Sequence, residues 1–167
     1  MSDFLPNPPL PDLRVGDVML FSPSDLVGYL ISLKTWTLLS HAEVYIGGGR
    51  CIGARIEGVA VYAERVDKYL RFIRRPFMPE GKQFDADAAY KAVADTIGKP
   101  YDVSAFWAFF NPWEKHRKVG RICSVVTTAY LEGGGCQVFN PEVSPDDISP
   151  AQLWQTSSLS TIWERKA

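Results

Sequence analysis

Short hydrophobic runs separated by glycines fill much of the first half of the chain. Five of them have the length and composition of β-strands: residues 17–21, 42–46, 50–56, 59–63 and 69–75. Glycines at 47–49 and at Gly58 mark tight turns between consecutive runs, and Gly16 marks a turn before the first run. Turns of this kind at this spacing are typical of strands that pair with their neighbours in sequence. The pattern therefore predicts an antiparallel meander over residues 42–63, with a further strand at residues 69–75.

Helical spacing of apolar residues marks three further segments: residues 24–33, 85–97 and 122–131. Ser24 or Asp25 is suited to cap the first helix, and Gly98 is suited to end the second. Residues 141–150 are rich in proline and aspartate and predict a loop, and residues 158–164 predict a closing strand. Because strands and helices fall into separate blocks, we expect an α+β domain rather than a parallel doubly wound sheet.

Composition and charge narrow the classes of function. The chain has 167 residues, 46% of them hydrophobic, and its net charge is −1. This suits one folded domain, expected over residues 13–167 after an extended proline-rich arm at residues 1–12. Without a basic excess, a nucleic-acid partner is not expected. No apolar run reaches the ~20 residues of a membrane span. The first residues do not resemble a signal peptide, so a cytoplasmic or phage-encoded protein is expected.

Metal and cofactor motifs are missing from the sequence. The three cysteines and two histidines form no disulfide framework and no zinc-binding pattern. No dinucleotide-binding or phosphate-binding glycine motif is present, so no cofactor is expected. Cys51 lies within a predicted strand and Cys136 follows a run of glycines, and neither has a neighbour that would activate it.

Cys123 has the sequence setting of a reactive thiol. It opens the predicted helix at residues 122–131, where the partial positive charge of a helix N-terminus favours the thiolate. His41 starts a predicted strand and can act as a base near neutral pH. His116, in contrast, lies in a charged run that is typical of a solvated loop. A thiolate with an imidazole within reach is a pair that can carry out acyl transfer.

Five short motifs follow one another in the order of a known family: Gly16–Phe21, Ser40–Gly47, Gly98–Asp102, Cys123–Ser124 and Ser144–Pro150. They resemble the circularly permuted NlpC-type cysteine hydrolases, papain-like proteins of the YiiX-like group that are related to lecithin retinol acyltransferase. In unpermuted papain-like chains the cysteine precedes the histidine, whereas here His41 comes first. The resemblance implies a small antiparallel, barrel-like sheet with the cysteine-bearing helix packed against it, and Cys123 facing His41 across a cleft.

The family pattern also has a third polar residue that orients the imidazole, often on the strand after the histidine. Gly53 occupies that position in this chain. Glu43 is one replacement, because residues two apart on a strand point to the same side and a carboxylate can hold the imidazole in place. A backbone carbonyl or a water molecule is a second alternative, and another residue is a third. Arg55 cannot accept the imidazole proton.

Four residues are candidates for substrate binding. Tyr101 and Asp102 belong to a loop that the resemblance places near the cleft. Trp107 belongs to an aromatic stretch that forms either part of the core or the wall of an acyl-binding pocket. Ser124 follows the cysteine, where backbone N–H groups can stabilise an oxyanion.

The sequence therefore predicts a cysteine hydrolase that cleaves an amide or ester bond through an acyl-thioester. The resemblance implies a peptide, a peptidoglycan stem peptide or an acylated molecule as substrate. Two alternatives stay open. One is an acyltransferase of the lecithin retinol acyltransferase type, and the other is a non-catalytic binding or assembly module on the same fold.

Overall fold

A computed structural model describes residues 8–101, 122–143 and 148–166 of the protein. Its sheet is built from six strands: β1 (Val18–Phe21), β2 (His41–Gly47), β3 (Arg50–Arg55), β4 (Gly58–Ala63), β5 (Leu70–Pro76) and β6 (Leu159–Glu164). Their spatial order is β4-β3-β2-β1-β5-β6, and every neighbouring pair is antiparallel. The predicted antiparallel α+β architecture is confirmed. The implied barrel is not closed by strand pairing, since β4 and β6 are edge strands of the sheet in the described part of the chain.

The described residues contain four helices: α1 (Leu26–Thr35), α2 (Ala86–Ala94), α3 (Cys123–Gly133) and α4 (Pro150–Gln155). Helices α1 and α2 begin where side chains cap them. The carboxylate of Asp25 accepts a hydrogen bond from the backbone of Gly28 at 2.8 Å, and that of Asp85 accepts one from Ala88 at 2.9 Å. Asp25, one of the two caps that the sequence offered for the first helix, is thus the one in use.

Two helices differ most from the sequence prediction. Helix α2 ends at Ala94 rather than at residue 97, because the chain turns there and Thr96 donates its hydroxyl to the carbonyl of Val93 at 2.6 Å. A hydroxyl bonded locally to the backbone competes with continued helix. Helix α4 was not predicted at all. It starts at Pro150, where Ser149 and Gln152 form a capping box.

The sheet separates two apolar clusters. One face of the central strands contributes alternate residues such as Leu20, Val44 and Ile52, which pack with Val126 and Tyr130 of α3. The opposite face contributes residues to a smaller cluster: Met19, Phe21, Cys51, Leu70, Ile73 and Trp163. Packing of α3 on the first face brings its N-terminus to the beginning of β2.

Several predicted features lie outside the described residues. These are Asp102, Trp107 with the whole aromatic stretch, His116, and residues 144–147 of the proline-rich loop. Of the predicted arm, residues 8–12 are described, and the carbonyl of Pro8 accepts a hydrogen bond from the Trp163 indole at 3.0 Å. No described helix combines the length and the hydrophobicity that crossing a bilayer requires.

Candidate active site

The first residue of α3 and the first residue of β2 meet at one end of the sheet. Cys123 is buried, with 3% of its surface exposed, and its thiol is hydrogen-bonded to the imidazole of His41. The backbone N–H groups of Ala42 and Ser124 also bond to the sulfur. The residue before the helix, Ile122, provides no side-chain cap. The sulfur therefore lies among backbone N–H groups at a helix start that no side chain caps. These groups favour a negative charge on the sulfur.

Glu43 holds the other side of the imidazole. Its carboxylate oxygen Oε1 lies 2.9 Å from His41 Nε2, and the Glu43 side chain is fully buried. Because Nε2 is bonded to Glu43, Nδ1 is the ring nitrogen left for the thiol of Cys123. The ring also packs against Phe21, with ring centroids 5.9 Å apart. The structure thus brings Cys123, His41 and Glu43 together, and their catalytic roles stay predictions.

Arg55 completes the polar chain, and the sequence interpretation missed it. Its Nε donates to Glu43 Oε1 at 2.7 Å and its Nη2 donates to Oε2 at 3.1 Å. The guanidinium also stacks on the ring of Tyr62, 3.9 Å from the centroid. The available signal was the position of Arg55. It comes two residues after Gly53, on the strand that pairs with the strand of Glu43. Arg55 does not accept the imidazole proton, as expected; its guanidinium donates to Glu43 instead.

Gly53 is the cross-strand partner of Glu43, and its lack of a side chain makes room for the carboxylate. A Cβ atom at Gly53 would lie 2.9 Å from Glu43 Cγ, closer than carbon atoms normally approach. The glycine at the position where the family pattern has a polar side chain is therefore paired with a glutamate on the neighbouring strand. The two positions cannot both carry a side chain without a shift of one of them.

The pKa values of the three groups move in the directions expected of an ion pair. Burial by itself lowers the pKa of His41, but hydrogen bonds and charge interactions with Cys123 and Glu43 outweigh it and raise that pKa to about 9. Burial raises the pKa of Glu43, but bonds from His41 and Arg55 outweigh it and lower that pKa to about 2. The pKa of Cys123 is lowered against the effect of burial, chiefly by the hydrogen bond to His41.

The other two cysteines have the opposite tendency. Burial, with a contribution from Glu43, raises the pKa of Cys51 to about 12. Burial also raises the pKa of Cys136 to about 11. Both thiols stay protonated at neutral pH, which makes them internal references for the reactivity of Cys123.

A pocket of about 270 Å³ opens beside the imidazole. Its walls come from α1, from the ends of β2 and β3, and from the segment before residue 102; the lining residues include Asp25, Ile31, Ser40, His41, Arg55, Glu57 and Tyr101. Gly58, the first residue of β4, allows the segment before residue 102 to lie close to that strand. Its φ is +121°, and a Cβ atom there would lie 2.8 Å from the carbonyl oxygen of Lys99. Two backbone hydrogen bonds, from Val59 to Lys99 and from Gly98 to Val59, fix that approach.

Of the four residues predicted to bind substrate, the structure describes two. Tyr101 lines the pocket. The side chain of Ser124 is fully buried and donates its hydroxyl to the carbonyl of Ile148, so only its backbone N–H is directed to the sulfur. Asp102 and Trp107 lie outside the described residues.

Comparison with known proteins finds similarity at the level of structure. No family model and no curated protein match the chain. The crystal structure of metalloprotein yiiX from Escherichia coli O157:H7 (DUF1105) is similar, with 17% sequence identity and a TM-score of 0.54, over 90% of this chain and 97% of that one. In the described part of this chain, no three histidine, cysteine, aspartate or glutamate side chains are grouped as metal ligands, so the residues do not fit a metal site. The structural similarity to yiiX shows that the chain has a YiiX-like fold.

Proposed function

We propose that the protein is a thiol hydrolase that cleaves an amide or ester bond with Cys123 as nucleophile and His41 as acid and base. One observation carries this proposal. A buried thiol at the start of a helix is hydrogen-bonded to an imidazole, and a fully buried carboxylate, Glu43, holds the far side of that imidazole. A histidine without an orienting partner would instead favour a non-catalytic module.

The mechanism follows from which group holds each proton. In the resting ion pair, the thiolate of Cys123 accepts a hydrogen bond from protonated His41, and Nε2–H of His41 donates to Glu43. The sulfur attacks the carbonyl carbon, and backbone N–H groups at the start of α3 stabilise the resulting oxyanion. Collapse breaks the bond to the leaving amine or alcohol, which takes the Nδ1 proton of His41, and leaves an acyl-thioester.

The second half of the reaction regenerates the thiolate. Neutral His41 removes a proton from water, the resulting hydroxide attacks the thioester carbonyl, and the carboxylic acid product departs from the Cys123 sulfur. If an amine or alcohol takes the place of water, the same residues catalyse acyl transfer. Glu43 stays ionised throughout and stabilises the imidazolium whenever it forms.

The pocket supports a polar substrate with groups of both charges. Asp25 and Glu57 bring carboxylates to its lining, Arg55 brings a guanidinium, and Tyr101 lies on the wall. A peptide segment, including a peptidoglycan stem peptide, offers charged and amide groups that such a wall can bind. An acylated substrate would find apolar contact at Ile31.

A second candidate function, assembly through α1, is favoured by the outer surface of that helix. Large apolar side chains there and just beyond it are strongly exposed: Leu26, Tyr29, Leu33, Trp36 and Leu38, with Trp36 at 91%. Such a patch is typical of a surface that contacts another molecule. Self-association through this face predicts a dimer in light scattering that Leu33→Lys converts to a monomer. If the wild-type protein is a monomer, self-association through α1 is refuted.

The labelling of the three cysteines by iodoacetamide, followed by peptide mass mapping across pH, tests the hydrolase proposal. We expect Cys123 to label fastest, with an apparent pKa well below the free value of ~8.5. His41→Ala should reduce that shift, because it removes the partner of the thiolate. Cys51 and Cys136 serve as slow references in the same sample. Labelling of Cys123 no faster than these two, or labelling that does not depend on His41, would refute the proposal.

A further inference from the structure

Glu43 and Arg55 form a hydrogen-bonded pair whose geometry does more than neutralise charge. Glu43 Oε1 accepts two hydrogen bonds, one from His41 Nε2 at 2.9 Å and one from Arg55 Nε at 2.7 Å. Oε2 accepts a bond from Arg55 Nη2 at 3.1 Å. A bidentate guanidinium fixes the plane of a carboxylate, so Arg55 determines the direction in which Oε1 points.

The environment of Glu43 makes this contact necessary for its charge. The side chain is fully buried, and a carboxylate removed from water tends to take up a proton unless a cation opposes it. His41 supplies a positive charge only while it is protonated, and the reaction cycle proposed above removes that proton once per turnover. Arg55 remains charged at every step. It is therefore the group that can keep Glu43 ionised while His41 is neutral.

We propose that Arg55 is a positioning residue for the Cys123–His41 pair, acting through Glu43, which it keeps ionised with Oε1 directed at His41 Nε2. This proposal rests on the proposed function for its catalytic consequence. Arg55 has no contact with the thiol in this assignment. Its stacking on Tyr62 and its place in β3 hold the guanidinium still while the imidazole gains and loses its proton.

Arg55→Met tests the proposal, because methionine keeps much of the side-chain length and removes the charge and both hydrogen bonds. The pH profile of iodoacetamide labelling at Cys123 is the first readout. An opposite charge within hydrogen-bonding distance lowers a carboxyl pKa by about 1–3 units. Without Arg55, we expect the acid limb of the profile to move up by about 1–3 pH units, since Glu43 then protonates at higher pH and ceases to support the imidazolium. A profile unchanged in Arg55→Met would overturn the proposal.

A second ion pair in the same sheet supplies a matched control. Arg75 donates Nε and Nη2 to the carboxylate of Asp17 at 2.8 and 2.7 Å. In both pairs, the arginine side chain is 25% exposed and the acid is fully buried. Arg75→Met therefore removes an equivalent bidentate contact without a bond to the His41 cluster. We expect it to reduce stability while leaving the Cys123 profile in place. An equal shift in both variants would mean that the effect is structural, and would overturn the proposal.

Two further variants keep the test decisive. If Arg55→Met fails to fold, Arg55→Lys against Arg75→Lys repeats the comparison with the charge retained, and a smaller shift in the same direction is expected only for Arg55→Lys. In a Glu43→Gln background, replacing Arg55 should shift the profile no further, because the carboxylate through which it acts is gone. A full shift in that background, or none in Arg55→Lys, contradicts the assignment.

The NMR titration of the His41 ring separates this proposal from the proposed function. Arg55→Met should shift the pKa of His41 whether or not the protein hydrolyses any substrate. An unreactive Cys123 together with an Arg55-dependent His41 titration would refute the hydrolase and leave the positioning role standing. If Cys123 is reactive but neither its labelling profile nor the His41 titration changes in Arg55→Met, the positioning role is refuted and the hydrolase proposal stands.

Discussion

The exchange of Gly53 for alanine adds a single methyl group at the most crowded point of the candidate site. The new Cβ would lie 2.9 Å from Glu43 Cγ and 3.6 Å from the Ala42 carbonyl oxygen. The contact with Cγ is the one that must be relieved. Glu43 cannot simply swing away, because its carboxylate is held by His41 at one side and by Arg55 at the other.

The magnitude follows from two opposing effects. Forcing an extra methyl group into a well-packed site costs about 1–3 kcal/mol. Replacing a glycine within a strand by alanine recovers about 0.5–1 kcal/mol, because the unfolded chain loses freedom. We therefore expect Gly53→Ala to lower the free energy of unfolding by about 1–2 kcal/mol. The displaced carboxylate should also leave His41 less protonated and slow the labelling of Cys123 at neutral pH.

Urea denaturation of Gly53→Ala in two backgrounds measures the clash itself. In Glu43→Ala the carboxylate and Cγ are absent, so the added methyl group meets only ordinary contacts. There the same substitution should be neutral or should stabilise by about 0.5–1 kcal/mol. An equal loss of stability in both backgrounds would show that the crowding lies elsewhere, and the account of Gly53 as the space for Glu43 would be wrong.

Two more predictions concern pH and the wall of the pocket. The folded-state pKa of Glu43, about 2 against an ordinary 4.5, means that its stabilisation is present above the ordinary value and is lost as pH falls towards 2. The pKa of His41, about 9 against an ordinary 6.5, means that its stabilisation is full below pH 6.5 and is lost as pH rises through 9. Urea midpoints measured across pH should therefore fall at both the acid and the alkaline end. Glu43→Gln should flatten the fall at the acid end. Gly58→Ala should cost about 2 kcal/mol or more in thermal or urea unfolding, because it combines a φ of +121° with a 2.8 Å approach to the Lys99 carbonyl oxygen. An unchanged midpoint for Gly58→Ala would contradict the close approach that brings Tyr101 to the pocket.

Local sequence signals predicted most of the elements; of the two exceptions, one has a local cause and the other depends on tertiary packing. The strand between residues 50 and 56 and a helix start at Ser24 or Asp25 were predictable because alternation and capping act over a few residues. Helix α4 has six residues, too few to be stable alone, and it depends on tertiary packing that a periodicity search does not detect. The early end of α2 comes from a bond between Thr96 and its own backbone.

The candidate site likewise combines residues that the sequence predicts with contacts that the tertiary structure sets. Cys123 at a helix start and His41 at a strand start are local features, so the sequence by itself identified both as candidates. What the tertiary structure decided is how the polar groups share the space between β2 and β3. Glu43 occupies the room above Gly53, and Arg55 reaches the same carboxylate from the neighbouring strand. Cross-strand register sets these contacts, and register is fixed by the packing of the whole sheet rather than by either strand alone.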